Sequence, residues 1–221
     1  AEVYNRASRA AVALTAYLRT FIEQRRRQPQ GDLLSALIMA EEGGGRLSED
    51  ELYATVALLL VAGHETTVNL IGNGVLALLR HPDQLRRLRD EPGLIRTAVE
   101  ELLRYDSPVQ ATSRVARTDL EIGGHTIRAG QQVSFLLGAA NHDPARFAAP
   151  ERLDIGRDPN PHLAFGSGIH YCLGAPLARL EGQIAINTLV QRFPELALAS
   201  ERPGHRDNYV LRGLRRLQVT F

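Results

Sequence analysis

The sequence predicts a mainly α protein with a small antiparallel β-sheet. Helical spacing of apolar residues fills most of the chain up to Pro108 and returns after Pro176. Between residues 112 and 136 the period changes to short alternating segments separated by Gly123-Gly124 and Ala129-Gly130. At 221 residues the chain can bury a real core, and 44% hydrophobic against 23% charged residues is ordinary globular composition.

Taken in order, residues 7–27 carry Ala10, Ala13, Leu14, Tyr17, Leu18, Phe21 and Ile22 at helical spacing and end in Arg25-Arg26-Arg27, where the dipole favours cations. Pro29 and Gly31 break this helix. Asp32 caps a second over 33–42, which Gly43-Gly44-Gly45 ends. Ser48 and Glu51 form a capping box that opens a third, with no breaker before His81-Pro82, about 50 Å long at 1.5 Å per residue. Its middle, 54–62, is apolar almost all round and is expected to be buried. Polar residues then follow in Gly63-His64-Glu65-Thr66-Thr67 and Asn69, and buried polar groups need partners or a purpose.

A short charged helix over 83–90 and another over 94–105 come next, the second placing Glu101 and Arg104 three apart on one face. Segments 112–116, 120–122, 125–127 and 132–136 supply the sheet. A short helix near Ala139 leads into a proline-rich meander to Pro161. Residues 177–193 are a core helix that Pro194 stops, and 208–211 and 217–221 are expected terminal strands.

The one cysteine, Cys172, follows a glycine-broken loop, Phe165-Gly166-Ser167-Gly168-Ile169-His170-Tyr171, and precedes Gly174 and a helix start at Pro176. A sulfur at a helix N-terminus is placed to act as a thiolate. Four readings of these residues stand open. Zinc would want further ligands besides His170, a nucleophile would want a base, axial haem ligation would want a sheltered sulfur, and an inert cysteine would want nothing.

Phe165, Gly168, Cys172 and Gly174 fill a Phe-x-x-Gly-x-x-x-Cys-x-Gly pattern that resembles the haem-binding signature of the cytochrome P450 family, closest to its bacterial soluble branch. Ala62-Gly63-His64-Glu65-Thr66-Thr67 is similar to the family's oxygen-activation motif, and Glu101-x-x-Arg104 to its Glu-x-x-Arg pair. The resemblance implies the C-terminal part of the P450 fold, one haem-binding domain over 1–221 lacking the family's N-terminal half. It implies haem b on Cys172, the metal ligand. Phe165, Gly166, Gly174, Ala62 and Gly63 would lie around the ring, and Arg114 and His170 would meet its propionates. Glu65 would be the proton source and Thr66 the hydrogen-bonding alcohol, with His64 and Thr67 in support. Glu101, Arg104 and Arg152 would form a buried network holding the cysteine loop. Val109, Gln110 and Ala111, and the turn at Tyr209-Val210, would face substrate.

The activity implied is insertion of one oxygen atom from dioxygen into a small organic substrate, with electrons from a ferredoxin or flavodoxin. The other reading is a truncated, non-catalytic haem-binding or interaction module. A net charge of +1 gives no electrostatic reason to bind nucleic acid. The longest apolar run, 56–62, is too short to span a bilayer, no signal-peptide pattern opens the chain, and a lone cysteine needs no oxidising compartment. A cytoplasmic protein with no membrane partner is therefore expected.

Overall fold

A computed structural model describes residues 2–42, 47–200 and 203–221. The glycine run expected to end the second helix lies outside the described residues. Seven α-helices and six short strands follow in order among those described: α1 Glu2–Arg27, α2 Leu33–Glu42, α3 Glu49–Arg80, α4 Pro82–Asp90, α5 Ile95–Tyr105, β1 Ala111–Val115, β2 Leu120–Ile122, β3 His125–Ile127, β4 Gln132–Leu136, α6 Leu137–Ala140, α7 Ala175–Arg192, β5 Ala197–Leu198 and β6 Val219–Thr220. The backbone groups into two compact units, Ala1–His64 and Glu65–Phe221.

In the first unit, Ile22, Leu34, Ile38 and Leu52 form a small buried core from α1, α2 and the start of α3. The corner between α1 and α2 is set by Asp32. Its Oδ1 accepts from the Ser35 N–H at 2.8 Å and its Oδ2 from Arg25 Nε at 2.6 Å. The capping box at α3 is as expected, with Ser48 N–H donating to Glu51 Oε2 at 2.7 Å and Glu51 N–H to Ser48 Oγ at 3.3 Å.

The expectation that 54–62 is buried is corrected. Leu58, Leu60 and Val61 are 66%, 49% and 59% exposed, and Ala62 is exposed too. All-round apolarity measures how much surface a helix offers for burial, and in this stretch Val56 packs partly against the unit's core while Leu58 to Ala62 stay exposed. By length and composition α3 is also the one described helix that could cross a membrane. Its second half instead enters a protein core, where Leu70, Val75, Leu76, Ala77 and Leu78 are buried.

That core belongs to the second unit and joins the end of α3 to α4, α5 and α7 through Leu70, Leu88, Val99, Leu102, Ile186 and Val190. Two glycines let three helices approach closely. A Cβ on Gly182 would lie 3.0 Å from Leu70 Cδ2, and one on Gly74 would lie 3.1 Å from Leu102 Cδ1. The strands make three separate antiparallel pairs, β1 with β4, β2 with β3 and β5 with β6. Residues 208–211 are a turn, not the expected strand: Asn208 Oδ1 accepts from the N–H groups of Val210 and Leu211, both at 2.9 Å, which curls the backbone.

The Arg25 hydrogen bond, then those from Ser35, lower the Asp32 carboxyl from its ordinary 3.8 to about 2. Its contribution is complete above about pH 3.8 and lost as the pH falls through about 2. Acid titration of helix content by circular dichroism should therefore show a loss in that window. Asp32→Asn should remove this step while leaving neutral-pH helicity nearly intact.

Candidate functional site

The cysteine loop is built by two left-handed glycines. Gly166 has φ +71° and Gly168 φ +65°, a region that residues with side chains seldom adopt. They reverse the chain so that Cys172 N–H donates to Phe165 O at 3.0 Å and Gly166 N–H to Leu163 O at 2.9 Å. Gly174 is the N-cap of α7, with φ −83°, and needs no left-handed backbone. A Cβ there would lie 3.9 Å from Cys172 Sγ, an ordinary contact, so neither space nor backbone demands a glycine at this position. Phe165, Gly166, His170, Cys172 and Gly174 are thus brought together in one loop, and Cys172 is exposed.

Behind the loop lies an ion pair from which water is excluded. Arg104 and Glu101 side chains are both 0% exposed, with Nε to Oε2 at 2.8 Å and Nη2 to Oε1 at 2.9 Å. The remaining guanidinium hydrogens go to the carbonyls of Asn141, Pro150 and Arg152 at 2.8–3.2 Å, which satisfies all five donors. Glu101 also accepts from Asp154 N–H, Asn160 Nδ2 and Arg157 Nε at 3.0–3.1 Å. The expected third member, Arg152, is corrected: it contributes only its carbonyl and its side chain is exposed, while Arg157 supplies the second guanidinium. The reason is local. A turn buries Leu153 and Ile155, which sends Arg152 outward and returns Arg157 to the carboxylate. No local pattern singles out Arg157, five residues farther on in the same polar meander, because the choice depends on how the turn folds.

A hydrogen-bond relay connects this pair to the cysteine. Arg104 holds the carbonyl of Asn141, and Asn141 Oδ1 accepts from Leu163 N–H at 2.7 Å. Leu163 O in turn holds Gly166, and Phe165 O holds Cys172.

On α3, Ala62 and Gly63 close the first unit and Glu65 and Thr66 open the second. Glu65 Oε1 accepts from Arg206 Nη1 at 2.9 Å. Arg206 is a partner that the sequence did not announce, because 141 residues separate the two. It lies on a turn clamped to the β1 end, with Gln110 N–H donating to Val210 O and Arg212 N–H to Pro108 O, both at 2.8 Å. Gln110, Ala111, Leu136, Arg206 and Tyr209 line an open cavity of about 300 Å³ there. The two segments expected to face substrate are therefore neighbours.

Arg114 on β1 donates only to neutral oxygens, Thr112 Oγ1 at 3.1 Å and Ser113 O at 2.7 Å. No hydrogen bond or ion pair among the described residues joins Arg114 or Glu65 to the cysteine loop. The donor set fits a haem: one exposed sulfur, apolar Leu173 and Leu177 exposed beside it, and a cation at Arg114 with no carboxylate partner among the described residues. The zinc reading lacks such support, since no group of three or more His, Cys, Asp or Glu stands together among the described residues.

Breaking one side of the buried pair leaves an uncompensated charge, a cost of about 3–5 kcal/mol. Glu101→Ala and Arg157→Ala should both lower the yield of folded protein and its denaturant midpoint, whereas Arg152→Ala should change the midpoint little. A large loss for Arg152→Ala with none for Arg157→Ala would return the network to its expected membership.

The cytochrome P450 family model matches residues 1–218. The biotin biosynthesis cytochrome P450 of Bacillus subtilis (strain 168) is 56% identical over 211 residues, covering 96% of this chain and 53% of its own length. The vitamin D(3) 25-hydroxylase of Pseudonocardia autotrophica is 52% identical over 212 residues, covering 94% and 53%. Among solved structures, P450BioI in complex with a hexadec-9Z-enoic acid ligated acyl carrier protein superposes with a TM-score of 0.90 at 55% identity, over 96% of this chain and 54% of that one. The chain spans about half the length of the curated relatives it matches. Members of this family bind haem b. With its cysteine loop, its buried Glu101–Arg104 pair and a family match over nearly all its residues, the chain belongs to the cytochrome P450 family.

Proposed function

We propose that this chain carries the cysteine-ligand part of a haem-thiolate monooxygenase, which inserts one oxygen atom from dioxygen into a small organic substrate. The observation that carries the reading is the loop that presents Cys172 exposed while fixing its backbone to Phe165. Cys172 Sγ would be the iron ligand, with Phe165, Gly166 and Gly174 beside it in the loop, and Ala62 and Gly63 would be further haem contacts. Arg114 and His170 would take the propionates, a task suited to Arg114 because its charge meets only neutral oxygens. Haem b, when bound, supplies the redox chemistry, and a thiolate ligand favours O–O cleavage by donating electron density.

The chain's own residues move the protons. Glu65, half-exposed, would be the proton source, and the Thr66 hydroxyl would give its own proton to the reacting oxygen as it takes up another from the Glu65 side. Arg206 at 2.9 Å steadies that carboxylate. The turn at Tyr209 and Val210 and the β1 end at Gln110 and Ala111 would contact substrate, in a cavity that offers Arg206, Arg212 and Asn208 as polar groups beside Ala111 and Leu136. Electrons would come from a ferredoxin or flavodoxin, in the cytoplasm. We infer one haem-binding domain over residues 1–221, whose oxygen chemistry requires water to be excluded. Leu58, Leu60, Val61, Leu177 and Ile184 stand exposed, as surfaces awaiting cover would. That same exposure favours a second reading, a non-catalytic haem-binding or interaction module.

In the purified chain loaded with haem, the reduced carbonyl complex should show the strongly red-shifted Soret band of thiolate ligation. Cys172→Ser should abolish it, and an unchanged spectrum would overturn the ligand assignment.

Thr66→Ala should leave haem binding intact and divert electrons to peroxide when substrate oxidation is assayed with a surrogate redox system. Equal product per electron in mutant and parent would remove Thr66 from the mechanism. Haem binding with no product in the parent under any partner would select the non-catalytic reading.

A further inference from the structure

Glu100 adjoins Glu101 in sequence but faces different partners. Its Oε1 accepts from Arg179 Nε at 2.7 Å, and its Oε2 accepts from Arg179 Nη2 at 2.9 Å and pairs with His162 Nε2 at 3.0 Å. The bidentate fork leaves Arg179 Nη1 to donate to the Tyr171 hydroxyl at 3.0 Å. The guanidinium also lies over the Phe165 ring, 4.5 Å from its centroid, and that ring meets Tyr171 edge-on at 6.3 Å. Phe165 and Tyr171 are the two shoulders of the cysteine loop, one bonded to Cys172 N–H through its carbonyl and the other preceding Cys172 directly. Both therefore rest on one guanidinium, and one carboxylate on α5 orients that guanidinium.

We propose that Glu100 is a positioning residue for Cys172: through Arg179 it fixes the Phe165–Tyr171 pair that carries the cysteine loop, and it balances the positive charge Arg179 brings there. The proposal rests on the reading of Cys172 as iron ligand for its redox consequence, but not for its effect on the loop. The brace is charged under all ordinary conditions. Burial acts to raise the Glu100 pKa, but the hydrogen bonds from His162 and Arg179, and then their charges, outweigh it and hold the carboxyl at about 2. The hydrogen bond to Glu100 raises Arg179 above its already high value. This brace is separate from the Glu101–Arg104 pair: it shares no side chain with it and reaches the loop from α7.

Two variants separate fork from charge. Glu100→Gln removes the charge and half the fork, while Arg179→Lys keeps the charge and removes the fork. In the haem-free chain, amide hydrogen exchange over 165–173 should quicken about ten-fold or more in both, the loss expected of a charge-assisted hydrogen bond. In the haem-loaded protein, Glu100→Gln should shift the reduction potential positively, because an unbalanced cation favours the reduced state. Arg179→Lys should leave the potential near the parent's, and Glu100→Asp should restore it. Unchanged loop exchange in both variants would overturn the proposal, as would a Glu100→Gln protein that fails to fold beside an Arg179→Lys protein with parental exchange. A parental Soret band in Cys172→Ser would refute the ligand reading alone, with the exchange result still standing.

Discussion

The ion pair between Glu101 and Arg104 is the constraint from which the rest of the structure hangs. Two charges taken wholly out of water recover their solvation only if every donor and acceptor is met, and here all five guanidinium hydrogens are. Meeting them requires carbonyls from residues 141, 150 and 152, so the irregular stretch after α6 cannot wander. A segment with almost no regular structure acquires one shape by serving as the solvation shell of a helix side chain. The cysteine loop begins where that stretch ends, and Asn141 passes the restraint on through Leu163.

A second linkage runs through the C-terminal turn. Residues 204–215 cross back over the β1 end, and the same short hairpin that carries Tyr209 also carries Arg206. A shift of the cavity wall therefore moves the cation that holds Glu65. Cavity and acid are mechanically joined without lying close in sequence.

The helices were legible in the sequence because their signals are local. Asp32, the Ser48–Glu51 box, Pro82 and Pro194 mark the ends of elements, and the observed bounds of α2 and α3 follow them. The cysteine loop was legible from its residue pattern. What was hidden depends on encounters that periodicity does not encode: Arg157 rather than Arg152 at Glu101, Arg206 at Glu65, and the exposure of 58–62. The turn at 208–211 departs from the strand its residues predict for a related reason. Its side-chain cap at Asn208 overrides the β-propensity of Tyr209 and Val210.

The sulfur of Cys172 is exposed and has no second cysteine in the chain to meet. Oxidation can therefore take it to sulfenic and higher acids, or into a disulfide with a cysteine outside this sequence. An iron held on that sulfur would draw on the electron density that oxidants attack and shield it from one side. Loading the cofactor and protecting the thiol would be one event, and the shelf life of the empty chain would be set by a single side chain.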